Sequence, residues 1–153
     1  MQSEVVDIII RHRRENLKKC SLRGLESRSD LRFFTYPRDQ VPDLTGFLLL
    51  SFEGKPLSTE DRDRGIVVVD GTWKLAQAIY KNTPSLHQLE KRSLPLHFIT
   101  AYPRRQDDCD DPDRGLASVE ALFIARTLQG RDSSGLLDHY HWKEKFLTLN
   151  AGL

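Results

Sequence analysis

The stretch Gly65-Ile66-Val67-Val68-Val69-Asp70-Gly71-Thr72-Trp73-Lys74-Leu75-Ala76-Gln77-Ala78-Ile79-Tyr80 decides the fold. Residues 66–69 form an unbroken apolar run with three valines, the pattern of a strand buried on both faces. Such strands belong to parallel sheets covered by helices. The run ends at Asp70-Gly71. Leu75, Ala76, Ile79 and Tyr80 then recur on one face at helical spacing, and Thr72 is placed to cap that helix. The unit reads strand, tight turn, helix, with an acid at the carboxyl end of the strand and a tryptophan in the helix's first turn. In open α/β sheets, ligands bind at that edge. A helix N-terminus there offers unbonded N–H groups to a carboxylate or phosphate. A purely structural use competes with this reading, with Asp70 as the helix cap and Trp73 as core.

On the N-terminal side, residues 5–10 predict the first strand. Residues 11–25 predict a basic loop passing into a short helix, whose cations suit either a phosphate path or a solvated face. Residues 31–36 predict a second strand ended by Pro37, and residues 46–52 a third, fully buried. Glu53-Gly54-Lys55-Pro56 predicts a turn. Ser58-Thr59-Glu60-Asp61 has the form of a capping box opening a short polar helix that Gly65 ends. On the C-terminal side, Asn82-Thr83-Pro84 stops the Trp73 helix. Residues 94–101 predict a strand with Pro95 near its start, and 102–115 a long polar loop. Ser118 is the expected cap of the next helix, with Glu120 suited to its dipole and Gly130 placed to end it. A last helix is expected over residues 134–149.

The 153 residues suit one domain with one sizeable core. With 39% apolar and 29% charged residues and a net charge of +1, bulk charge selects no partner. Its distribution says more: residues 11–38 hold nine Lys or Arg against three acids, and residues 107–113 hold five aspartates. Cys20 and Cys109 make neither a disulfide framework nor a Cys-x-x-Cys zinc pair. No signal-peptide pattern and no apolar run of membrane length is visible, so a cytoplasmic location without a membrane partner is expected. A Gly-x-Gly-x-x-Gly turn, a Gly-Lys-Ser/Thr loop and a Gly-x-Ser-x-Gly elbow are all missing. His139 and His141 sit two apart and point to different sides of a helix, so no metal site is expected. What remains suits a small-molecule cofactor combined with an anionic macromolecule.

Asp70-Gly71-Thr72-Trp73 resembles the Asp-x-Thr-Trp signature of DTW-domain proteins, which modify uridine in tRNA. Other motifs resemble the sister family, the ribosomal RNA aminocarboxypropyltransferases of ribosome maturation. Lys18-Lys19-Cys20-Ser21 is similar to that family's N-terminal segment. Leu94-Pro95 with Ala101-Tyr102-Pro103 resembles its Leu-Pro…Ala-Asn-Pro stretch. Leu116-Ala117-Ser118-Val119-Glu120-Ala121-Leu122 is similar to its Leu-Ser-Ser-Val-Glu-Ala-Leu helix start, and Trp142 with Phe146-Leu147 and Leu149-Asn150 to its ending. The motifs follow the family's order along nearly the whole chain.

The resemblance implies one SPOUT-like α/β domain over residues 1–153, a mostly parallel sheet flanked by helices with a C-terminal trefoil knot. Residues 1–56 would be the part with the basic RNA-facing segment, and residues 57–153 the cofactor-binding part. It implies S-adenosylmethionine as cofactor and transfer of its 3-amino-3-carboxypropyl group to a uridine-type base, in ribosomal RNA rather than tRNA. Asp70 and Trp73 are the implied catalytic residues. Ser21, Leu50, Asp70, Trp73, Ala76, Leu94, Tyr102, Leu116 and Ser118 are the implied cofactor contacts, and Lys18, Lys19, Arg23 and Arg92 the candidate RNA contacts. A monomer is expected. The family's Asn-Pro-Val-Asn-Tyr-Gly loop is here Tyr102-Pro103-Arg104-Arg105-Gln106-Asp107, and its Ser-Pro-x-Gly turn is Ser51-Phe52-Glu53-Gly54. A SPOUT methyltransferase and a non-catalytic RNA-binding assembly factor are the alternative readings.

Overall fold

The computed structural model describes residues 5–14, 20–102 and 116–151, with Trp73 described in its backbone only. Five strands form one sheet: β1 (Asp7–His12), β2 (Leu31–Tyr36), β3 (Leu48–Pro56), β4 (Ile66–Asp70) and β5 (Glu90–Ser93). Their order is β2-β1-β4-β3-β5, and every neighbouring pair is parallel. The helices are α1 (Trp73–Asn82), α2 (Ser118–Gln129) and α3 (Lys143–Leu149). The α/β class and the parallel sheet agree with the sequence reading.

Strand alternation explains why the central strands are apolar throughout. Ile8, Ile10, Leu49 and Val67 face one side, where Ile79 of α1 and Leu86 complete a buried cluster. Ile9, Leu48, Ile66 and Val68 face the other, against Val119, Leu122 and Ala125 of α2 and Phe146 of α3. Each strand residue therefore meets apolar side chains whichever way it points.

At the amino edge of the sheet the polar groups are locked in. Asp7, fully buried, accepts from the Ile66 N–H at 2.8 Å. It also accepts from Arg126 at 2.7 Å and from Arg131 at 2.8 Å. Arg126 donates to Asp30 as well, at 2.7 Å. Hydrogen bonds from Arg28 hold the Asp30 carboxyl below its ordinary range, and Arg126 adds to the effect. These contacts fasten α2 to β1 and the approach to β2.

Several expectations need correction. The first strand lies two residues later than the pattern suggested. The described part of 11–25 forms turns over residues 21–24 rather than a helix. β3 continues through residues 53–56, expected to turn. A register shift between Leu50 and Lys55 absorbs the irregularity, and Gly54 sits there at φ +92° with no room for a Cβ beside the Lys91 carbonyl. The fifth strand is the polar Glu90–Ser93, not residues 94–101, which run irregularly. Ion pairs of Lys91 with Glu53 at 2.8 Å and of Arg92 with Asp61 at 3.2 Å give that polar edge strand its partners. The last helix is only Lys143–Leu149, because Gly135 takes φ +79° and residues 134–139 form turns. Most of the 102–115 loop, residues 103–115, lies outside the described residues.

Candidate functional site

β1 and β4 are neighbours, yet the chain leaves them in opposite directions. From β1 it moves outward to β2, and from β4 it passes through α1 to β5 on the other side. Their carboxyl ends therefore flank a topological switch point, where open α/β sheets form a crevice. Register puts Arg11 beside Asp70 at that point.

Asp70 is 4% exposed, and both its oxygens are engaged. Oδ1 accepts from the Ser118 hydroxyl at 2.6 Å. Oδ2 accepts from Arg11 Nε at 3.4 Å and from the Cys20 thiol at 3.2 Å. Arg11 also donates to Cys20 Sγ at 3.4 Å and to Glu26 at 3.4 Å, and its guanidinium lies 4.9 Å from the centre of the Phe33 ring. Burial and the Asp70 charge push the Cys20 thiol up to about 12, so it stays a neutral donor. Burial opposes the charge of Arg11, but Cys20, ionised only at the high pH where Arg11 titrates, and the carboxylates of Asp70 and Glu26 outweigh it and raise its pKa.

The two helices begin at the same edge. Thr72 caps α1, its hydroxyl accepting from the Leu75 N–H at 3.4 Å, so the structural use of Asp70 as that cap is not taken up. Ser118 is the first residue of α2 and not its cap, which is Ala117. Its hydroxyl is thereby available to Asp70. The Val119 N–H donates to the Ser21 hydroxyl at 3.1 Å. Glu120 is fully buried and accepts four hydrogen bonds: from the Ala117 and Ala101 amides at 2.8 Å, from Thr100 at 2.6 Å and from Tyr140 at 2.9 Å. It braces the segment before the 103–115 loop against the start of α2.

A cavity of about 730 Å³ opens along this edge. Leu50, Ala76, Leu94, Leu116 and Ser118, five of the implied cofactor contacts, line it together. Asp70 stands beside Ser118 and is not part of the described lining. Ser21 touches α2 at Val119, and the Tyr102 amide donates to Thr100 at 3.0 Å. The side chain of Trp73, together with Lys18 and Lys19, lies outside the described residues. Arg23 sits on an exposed turn. Arg92, expected to reach RNA, is 7% exposed and gives its guanidinium to Asp61 and to Glu90 at 3.0 Å. It is a fold-holding ion pair. Arg11, Glu120 and the cavity residues Phe52 and Lys81 escaped sequence reasoning; only the position of Arg11 at a strand end hinted at a role.

No known family model matches this chain, and no curated protein matches it. Among solved structures, the chain is similar to the SAM-dependent rRNA:acp-transferase Tsr3 from Vulcanisaeta distributa. The TM-score is 0.70 with 20% identity, over 95% of this chain and 79% of that one. The likeness is one of fold.

Proposed function

We propose that this protein transfers the 3-amino-3-carboxypropyl group of S-adenosylmethionine to a uridine-type base in RNA, with ribosomal RNA as the substrate. The observation that carries the reading is the cavity along the carboxyl edge of the sheet, over β3 and β4, bounded by Ser118 and by the starts of α1 and α2. A SAM-dependent rRNA:acp-transferase shares the fold, and the motif resemblance points the same way. The reading brings with it a knotted, SPOUT-like chain path and a cytoplasmic location.

The residues present fit such a cofactor. Leu50, Leu94 and Ala76 supply apolar surface for a purine ring. The first N–H groups of α1, beyond the one that Thr72 satisfies, suit a carboxylate. Bound there, S-adenosylmethionine would supply a sulfonium-activated carbon for attack by a base nitrogen. Trp73 and Ala76 are proposed to shield the methyl group, so that the propyl carbon is the one presented. Positioning of this kind can carry much of a rate enhancement. With both oxygens engaged, Asp70 is proposed to act by fixing Ser118 and the start of α2, rather than by taking the proton of the base. Lys18, Lys19 and Arg23 are proposed to hold RNA phosphates.

The test is calorimetric titration with S-adenosylmethionine, followed by transfer to RNA with the label in the carboxypropyl part. One-site binding and label transfer are expected. Transfer of a labelled methyl group instead would favour a methyltransferase. A folded protein that binds no cofactor would overturn the enzyme reading.

A further inference from the structure

Residues 94–98 give the cavity one of its walls, through Leu94, Pro95, Leu96 and Phe98. This wall belongs to no strand or helix. None of the backbone-to-backbone hydrogen bonds among the described residues falls on residues 95–101. Burial fixes the stretch only in places: Phe98 and Ala101 are buried, whereas Leu96 is 68% and Ile99 50% exposed. A main chain without a ladder needs other partners for its N–H and C=O groups.

Side chains from two other elements supply them. Asn150 accepts from the Ile99 N–H with Oδ1 at 2.8 Å and donates from Nδ2 to the Ile99 carbonyl at 2.8 Å. One residue of the wall is thus gripped by both its main-chain groups, as an antiparallel strand would grip it. Asn150 closes the end of α3, where its own N–H and Nδ2 both donate to the Phe146 carbonyl, at 3.1 Å and 2.9 Å. Phe146 is fully buried and Asn150 is 8% exposed, so the grip ties the wall to the core. Glu120 holds the next two residues, accepting from the Thr100 hydroxyl and the Ala101 N–H. The two holds differ in kind. Glu120 only accepts, whereas Ile99 needs an acceptor and a separate donor on one short side chain, which is what an asparagine amide offers.

We propose that Asn150 is a positioning residue of the cavity: through Ile99 it holds the 94–98 wall against the core, and with that wall the cofactor, which it does not itself touch. This rests on the proposed function and names what keeps its pocket in shape. Asn150 is outside the described lining, so its effect on binding is indirect. A wall in place only about a tenth of the time weakens apparent affinity about ten-fold. A wall that grips the cofactor alike before and during transfer changes KM and spares kcat.

The test uses the full chain. Asn150→Ala removes both halves of the grip. Asn150→Asp keeps the acceptor but turns a carboxylate toward the Ile99 and Phe146 carbonyls. Gln129→Ala is the control: Gln129 is buried at the far end of α2 and donates to the carbonyls of Asp61 and Arg64, away from the wall. Hydrogen exchange read by mass spectrometry is expected to quicken over residues 94–101 in both Asn150 variants and not in Gln129→Ala. Titration with S-adenosylmethionine is expected to show about ten-fold weaker binding by the Asn150 variants and native affinity in the control. In the transfer assay the loss is expected in KM for the cofactor, with kcat unchanged. Unchanged exchange over 94–101 would show that the wall does not depend on the grip and overturn the proposal. Faster exchange with native cofactor affinity would overturn the positioning role and leave the proposed function standing. An equal affinity loss in Gln129→Ala would overturn it too, because the effect would then follow stability and not the wall. A folded native chain that binds no cofactor would overturn the proposed function and the positioning role with it.

Discussion

The Ser118 hydroxyl donates a 2.6 Å hydrogen bond to Asp70, joining the end of β4 to the first turn of α2 across 48 positions of sequence. A hydrogen bond to a charged group is worth about 1.5–3 kcal/mol. Ser118→Ala is therefore expected to cut S-adenosylmethionine affinity by roughly ten-fold or more, because the start of α2 loses its tie to the sheet. Calorimetric titration checks this. An affinity equal to that of the native chain would mean that Asp70 does not set the cavity wall.

Trp73→Ala is expected to reduce cofactor affinity far more than Lys19→Ala. The lysine variant should keep the cofactor and lose RNA affinity, with the loss shrinking as salt rises. Titration of both variants with cofactor, and filter binding with RNA at two salt concentrations, separates the two roles. Equal cofactor affinity in the native chain and the Trp73 variant would count against the site as drawn.

Cys20 gives a pH prediction. Its thiol is pushed up to about 12 from an ordinary 9.0 by burial first and by the Asp70 charge second. The folded state therefore holds the proton more tightly than the unfolded one. The stability this contributes is complete below about pH 9 and is lost as pH rises toward 12. In a Cys109→Ser background, urea unfolding at pH 8 and pH 10 should show a decline that the further change Cys20→Ala removes. The native thiol should also resist alkylation at pH 8 until the chain is unfolded.

Arg126 is 2% exposed and Asp7 fully buried. Arg126→Ala takes a cation from the fully buried Asp7 and from the partly buried Asp30, whose main partner is Arg28, and should cost about 3–5 kcal/mol. Chemical denaturation measures it. A loss below about 1 kcal/mol would show that Arg131 and Arg28 suffice.

The β4–α1 unit was legible because its signals are local. An apolar run and a capping threonine need no distant partner to be read. The Ser58–Asp61 box and the left-handed Gly130 at the end of α2 were legible for the same reason. Residues 94–101 misled because apolar content was read as strand, whereas the sheet's last position went to a polar segment with partners in Glu53 and Asp61. Residues 134–142 misled similarly: Leu136, Leu137 and Tyr140 are buried, but from turns rather than a helix. Glu120 was expected to serve only a helix dipole, and its four donors come from three separate segments. The cluster of Arg11, Cys20 and Asp70 could not be read because its members lie up to 59 positions apart.

The walls of the cavity come from β3, β4, α1, β5 and the segment after it, and the start of α2, where Ser118 of the wall is held by Asp70 behind it. No part of the chain carries this pocket alone. A small molecule that occupies it can thus bind only the completed fold, and by mass action its presence withdraws chains from the denatured pool. At a concentration one hundred times its dissociation constant, such a ligand adds about 2.7 kcal/mol. The melting temperature of the chain would then rise with ligand concentration, which makes thermal shift a direct screen for whatever the cavity holds.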